Sequence, residues 1–165
     1  MEEFIRESTG RVEERTRFIV RCLEELNEEE IWRKPNSSSN SVGNLILHLC
    51  GNVRQYAIAS LGHRPDVRER EKEFSAAGGL SKAELLALLR STVDEALRTI
   101  HEATASELLD VRVVQGNHRS GIGIIVQVTE HFSYHAGQIA FWTKFLRNRD
   151  LGLYAGRNLN ARNEP

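Results

Sequence analysis

Two histidines four residues apart on the apolar side of one long helix restrict this chain more than any other feature. They are His131 and His135, in the stretch VTEHFSYHAGQIAFWTKFL at residues 128–146. Ile124, Val128, Ile139, Trp142 and Leu146 recur around them at the period of a helix face. The two imidazoles therefore stand one above the other on the stripe that turns toward the interior. Burying them is costly unless they find partners, and two cationic rings side by side would repel. A divalent metal ion answers both problems, because it binds neutral imidazole nitrogen. A hydrogen-bonded set of core histidines is the other answer the spacing allows.

The rest of the chain divides into three more amphipathic helices joined by long connections. Residues 2–27 form the first, with Ile5, Val12, Ile19 and Leu26 on one face. Pro35 and the Asn/Ser run at 36–41 open a loop, which Trp32 is expected to pin by packing. Asn40 or Ser41 caps a second helix over residues 42–61. In it His48 sits among Leu45, Ile46, Leu47 and Leu49, and Asn44, His48, Asn52 and Tyr56 form a polar row at steps of four. Such a row reads either as the lining of a cavity or network, or as a single satisfied core histidine.

Residues 62–79 hold Pro65 and alternating charges and read as a surface connection. Loops of this length are often functional. Asp66, Arg68 and Arg70 are either substrate contacts or, more economically, solvated charges. Ser81 and Glu84 make a capping box for a third helix that ends near His101. A short helical turn or coil over 103–110 and a short hairpin or extended loop about Gln115-Gly116-Asn117, with His118 at its tip, lead into a fourth helix over 122–147. Leu151, Leu153 and Tyr154 are expected to dock a partly extended tail at 150–165, whose end frays. The expected architecture is an all-α four-helix bundle with long loops and a short β-hairpin before the last helix, in a single domain at 1–165.

Composition sets bounds on partners. A formal net charge of −1 without a basic patch implies neither nucleic acid nor an anionic membrane. The longest apolar runs, near 45–49 and 122–128, are too short to span a bilayer. The acidic start MEEFIREST lacks the apolar region of a signal peptide, so a cytoplasmic location is expected. Cys22 and Cys50 have no framework spacing and read as reduced, buried thiols, with a disulfide between two helices as the alternative.

Three histidines thus fall on apolar helix faces: His48, His131 and His135. His63, His101 and His118 fall in loops or at a helix end. Inward side chains on facing helices are how bundles build metal sites. Three imidazoles plus water would leave an open position for a substrate. Position 132 is Phe, so the zinc-protease motif HExxH is absent.

The chain resembles the DinB-like superfamily of four-helix metalloproteins, also called the DNA-damage-inducible or YfiT-like group. The resemblance rests on NSVGNLILHLCGNVRQY, PDVREREKEF, VTEHFSYHAGQIAFWTKFL and the closing RDLGLY, and it runs in order over nearly the whole sequence. It implies a DinB-like fold with a metal site built from one histidine of the second helix and a pair spaced by four on the last. His48, His131 and His135 occupy those places. It also implies a homodimer and a divalent ion such as zinc or nickel. Family members include thiol S-transferases that use bacillithiol or mycothiol, a thiol-dependent isomerase, and proteins labelled metal-dependent hydrolases. The implied activity is therefore a metal-dependent transfer of a low-molecular-weight thiol to a small electrophile. The alternatives are a hydrolase and a non-catalytic, stress-related metal-binding module. Nothing in the residues points to DNA repair.

Four amides stand near the three rings in helical register. Asn52 and Gln138 are the better placed to hold an imidazole tautomer or orient a ligand, followed by Asn44 and Gln127. Glu130 lies about 100° around the helix from His131 and is not a general base. No inward carboxylate is evident, which counts against a hydrolase. Tyr56 and Tyr134 are possible proton donors, with packing the simpler role for each.

Overall fold

The 3.6-residue apolar periodicity becomes seven helices and one small hairpin in the computed structural model, which describes residues 1–163. In chain order they are α1 (Glu2–Glu25), α2 (Glu28–Trp32), α3 (Val42–Val53), α4 (Arg70–Ser75), α5 (Lys82–Glu102), α6 (Ala105–Leu109), strands β1 (Val111–Val114) and β2 (Asn117–Ser120), and α7 (Gly121–Arg147). A π-helical segment, Arg54–Leu61, continues α3. The four long helices α1, α3, α5 and α7 form the bundle. Around its axis they pack in the order α1, α7, α3, α5, each against two neighbours. Two of the three connections therefore cross a diagonal, from α1 to α3 and from α5 to α7. Those are the connections that carry α2, and α6 with the hairpin. Ile19, Ile46, Leu49, Leu85, Leu89, Ile124, Ile125 and Ile139 are wholly buried at the centre.

Local chemistry sets the helix boundaries. Ser41, Ser81 and Thr104 each accept from the backbone N–H three residues on, and Asn44, Glu84 and Glu107 return the bond to the cap N–H. The first helix ends at Glu25 rather than at residue 27. Leu26 turns to an extended conformation, and Asn27 caps α2 with its own box to Glu30. Trp32 does pin the loop that follows: its Nε1 donates to the Leu80 carbonyl at 3.0 Å, and its ring fills the space above Gly43. The hairpin pairs Val114 with Asn117 and turns at Gln115-Gly116, where φ is +50° and +74°. Those two positive angles fit a turn that matches the twist of the strands.

The region 62–79 departs from the expected surface loop. It contains α4, and Glu73 within it is 8% exposed. Asn44 anchors this segment to α3, its amide donating to the carbonyls of Glu73 and Ala76 at 3.0 and 2.7 Å. Cys22 and Cys50 are free and buried, and burial pushes their thiols up to about 11 and about 12. In the tail Leu151 is buried and Tyr154 meets the Phe18 ring edge-on at 5.1 Å. The expected fraying of the chain end concerns residues 164 and 165, which lie outside the described ones.

Candidate metal centre

The α3 and α7 faces bring His48, His131 and His135 to one place. One ligand atom from each ring lies within 4.8 Å of the others. The ring centroids are 4.9 Å apart for His48 with either partner and 4.4 Å apart for His131 and His135. His48 and His135 are 6% and 8% exposed, and His131 is half-buried at the open side. His48 Nε2 and His131 Nε2 face each other at 2.9 Å. Two nitrogen lone pairs at that distance repel unless a proton or a cation lies between them.

The second nitrogen of two rings is already committed. His48 Nδ1 is 2.9 Å from Glu73 Oε2. An ionised carboxylate only accepts, so Nδ1 is the donor and Nε2 is left to present a lone pair. His135 Nδ1 lies 2.7 Å from Gln138 Oε1, which accepts in the same way. Arg68 holds Glu73 from the other side, its Nε and Nη2 donating to Oε1 and Oε2 at 2.7 and 2.8 Å. Arg68 Nη1 donates to Gln55 Oε1 at 2.9 Å, and Gln55 Nε2 donates to Asp66 Oδ2 at 2.7 Å. Of the three charges that the connection offered, Asp66 and Arg68 are thus bound into the site's support. Arg70 is exposed and lies over the Phe74 ring at 4.7 Å.

Glu73 is the inward carboxylate that the sequence did not reveal. Helical register hid it, because it comes from a connection rather than from the helix of its partner. Of the expected amides, Gln138 holds a ring. Asn44 instead completes the Ser41 capping box, its Oδ1 accepting from the Ser41 N–H, and anchors the α4 segment. Asn52 is 4% exposed, and its Oδ1 has no hydrogen-bond partner among the described residues. Gln127 is half-buried. Tyr56 donates to Gln115 Oε1 at 3.0 Å and so braces the hairpin. Tyr134 is 63% exposed, with its ring 5.0 Å from that of His135. Glu130 is exposed, as its helical angle requires. His63 pairs with Glu107 at 3.4 Å, His101 closes α5 and His118 lies on β2, all outside the cluster.

The family model described as "Protein of unknown function (DUF1572)" matches residues 1–155. The chain belongs to the DUF1572 family. Two solved structures share its fold at low identity. A DinB-like protein from Bacillus subtilis aligns with a TM-score of 0.67 and 13% identity, over 87% of this chain and 94% of its own. A DinB-like protein from Bacillus cereus aligns with a TM-score of 0.70 and 15% identity, over 89% of this chain and 93% of its own. The fold of this DUF1572 chain is therefore DinB-like, a helical bundle with a small two-stranded sheet. No curated protein matches it.

Electrostatics in this DUF1572 site favour neutral rings. Burial first, then the neighbouring His135 and His48 and the cations Arg68 and Arg70, push His131 down to about 4. Burial also lowers His135, partly countered by Gln138. Burial tends to raise Glu73, but the hydrogen bonds from Arg68 and His48 outweigh it and hold the carboxyl below its usual range. Near neutrality His131 and His135 therefore carry lone pairs and Glu73 carries charge. Beside the cluster, a groove of about 650 Å³ runs between the 35–45 segment and the second half of α7. Its walls include Leu45, Tyr134, Gln138, Phe141, Trp142 and Phe145. Gln138 thus lines the groove and holds His135 at once.

Proposed function

We propose that this protein is a divalent-metal-dependent enzyme, acting as a thiol S-transferase on small electrophiles. The observation that carries the reading is the convergence of three imidazoles, two of them with Nδ1 anchored, and with His48 Nε2 facing His131 Nε2 across the centre. A tetrahedral ion with bonds of about 2.0–2.1 Å needs its nitrogen ligands roughly 3.3 Å apart. The 2.9 Å between His48 and His131, within a set spanning up to 4.8 Å, is a small adjustment away from that. The donor set fits a borderline-soft ion, and zinc or nickel is the proposed occupant. When bound, such an ion supplies Lewis acidity that lowers the pKa of a coordinated thiol.

The chain's own residues do the rest. Glu73 and Gln138 fix the orientation of His48 and His135. The half-buried edge of His131 leaves an approach from solvent, and the aromatic groove at Gln138 offers an apolar wall of small-molecule size. A hydrolase needs a free base, and Glu73 does not provide one. Its Oε1 accepts from Arg68, and its Oε2 accepts from Arg68 and His48. A non-catalytic module would be consistent with a sealed site, whereas this one lies beside open space.

The proposed working unit is a homodimer in the cytoplasm. Supporting the dimer, Tyr134, Phe141 and Phe145, which also wall the groove, form an exposed aromatic stripe along α7, at 63%, 72% and 67% exposure, so a second copy seated there would border the substrate space. No helix among the described residues is long and apolar enough to cross a membrane.

Elemental analysis of gently purified protein comes first, with about one divalent ion per chain expected. The loaded protein is then incubated with low-molecular-weight thiols and a chloro-dinitrobenzene-type electrophile. Turnover that disappears in His135→Ala supports the transferase. Equal turnover in the variant removes the claim.

A further inference from the structure

We propose that Arg68 and Glu73 form a charge-balanced clamp that sets the site to take an anionic ligand. This inference rests on the metal reading above. Both side chains are nearly buried, at 4% exposure for Arg68 and 9% for Glu73. Arg68 grips the carboxylate with two parallel hydrogen bonds, and Oε2 also accepts from His48 Nδ1. The carboxylate therefore fixes the His48 ring, while the guanidinium cancels the carboxylate's charge.

That cancellation has a consequence for the site. A carboxylate behind a ligating histidine ordinarily makes the ring a stronger, partly anionic donor. Here the backing pair is neutral as a whole, the Asp66 carboxylate standing behind Arg68 at the exposed end of the network, and metal-bound neutral imidazoles bring no charge of their own. A divalent ion on them would keep close to its full double charge, with the buried His48 and His135 shielding it from water on one side and the half-buried His131 edge open on the other. Such a charge is costly until an anion fills the remaining position. At the rim, the exposed Arg70 lies over Phe74, whose ring is 4.7 Å from that of His48, and adds a further positive charge. The ligand class is a small molecule that presents a thiolate or a carboxylate. A neutral donor of the same size gains less.

The test uses cobalt(II)-loaded full-length protein and its visible absorption, titrated with azide as the anionic probe and imidazole as the neutral one. Wild-type protein is expected to bind azide. Arg68→Met leaves the Glu73 charge unbalanced behind the His48 ring, one imidazole away from the ligating nitrogen. At an effective permittivity near 20 this weakens azide binding on the order of tenfold, with imidazole binding changed by less than about twofold. Glu73→Gln is expected to move azide affinity the opposite way, tighter, while cobalt itself is held about 10–100-fold more weakly. The double variant Arg68→Met/Glu73→Gln is neutral again and is the one least disturbing to the fold. It is expected to restore azide affinity to near the wild-type value. Single variants that shift azide in the same direction, or azide and imidazole shifting together, mean a merely structural pair and overturn the clamp. Wild-type protein that takes up no cobalt overturns the metal reading and this inference with it. Cobalt uptake with azide affinity indifferent to the pair overturns the clamp alone.

Discussion

Gly51→Ala tests whether the α4 segment belongs to the site. Gly51 lies on α3 where Glu73 and Arg68 come against the helix. A Cβ added there would stand 1.9 Å from Glu73 Oε1, 2.7 Å from its Cδ and 3.1 Å from Arg68 Nε. The backbone is ordinary helix, so the constraint is space and not conformation. To make room the carboxylate must swing away, releasing His48 Nδ1 and opening the Arg68 fork. Each charge-assisted hydrogen bond lost is worth about 1.5–3 kcal/mol. Alanine returns about 1 kcal/mol of helix propensity over glycine. The carboxylate is the far end of a flexible side chain and regains most of its bonds from a shifted position, so counting one such bond as lost, the expected net destabilisation of the metal-free protein is about 0.5–2 kcal/mol, read by urea unfolding. Metal affinity, read by chelator competition, is expected to fall about 10–100-fold because the His48 ring loses its orienting partner. Long-range proton–nitrogen NMR on the His48 ring reports the loss of the fixed Nδ1–H tautomer directly. Gly10→Ala in α1 is the control, since a Cβ there meets nothing within 4 Å. It is expected to gain up to about 1 kcal/mol. If Gly51→Ala matches the control in stability and binds metal within twofold of wild type, Glu73 does not support His48 and the reasoning fails.

Four further outcomes follow from the same geometry. Gln138→Ala leaves His135 Nδ1 without its acceptor at 2.7 Å, and chelator competition is expected to show about tenfold weaker metal binding with little change in stability. Asn44→Ala removes the bonds to the Glu73 and Ala76 carbonyls from a wholly buried position, and urea unfolding is expected to show a loss of about 2–3 kcal/mol. In the metal-free protein His131 protonates near pH 4 when folded but near 6.5 when unfolded, so the unfolded state takes the proton first. Stability is then full above pH 6.5 and falls as pH drops toward 4, by up to about 3 kcal/mol less what solvent screens at a half-buried ring, a slope that His131→Asn should flatten. Phe141→Arg places a charge in the middle of the exposed α7 stripe; under the proposed dimer, sedimentation is expected to show a dimeric wild type and a monomeric variant, and an unchanged sedimentation coefficient places any dimer contact elsewhere.

The helices were legible because their signals are local. The apolar period over 42–53 and 121–147, the Ser41 and Ser81 caps, and the glycine at the hairpin turn each involve residues within one or two turns of one another. The three histidines shared that advantage: each sits on an apolar face, and two bundle helices can meet only through such faces. The small break at Leu26 and Asn27 was hidden because apolar period and acidic character run straight through it. The amides divided for a similar reason. Gln138, three residues after His135 on the same helix, holds a ring as its register allows. Asn44 is one turn before His48 but serves the α4 segment, a partner whose position no helical period encodes.

The charged connection was read by composition, and composition cannot tell a solvated charge from a buried pair. Arg68 and Glu73 are five apart, across the irregular residues 68–69 and the start of α4, so no i,i+4 rule links them. What buries them is mutual neutralisation together with a third partner on another helix. One local sign of this was present. Gly51 interrupts the apolar run of α3 three residues after His48, where alanine would stabilise the helix by about 1 kcal/mol. A glycine kept at that cost marks a close approach. The approaching group must satisfy a buried histidine whose other nitrogen faces a second ring. An acceptor is required, and a carboxylate can enter such a place only with its own counter-charge. Gln138 shows that an amide can fill the same role for His135, so the glycine marks the close approach and the structure supplies the identity of the approaching group, the Glu73 carboxylate with Arg68 as its counter-charge.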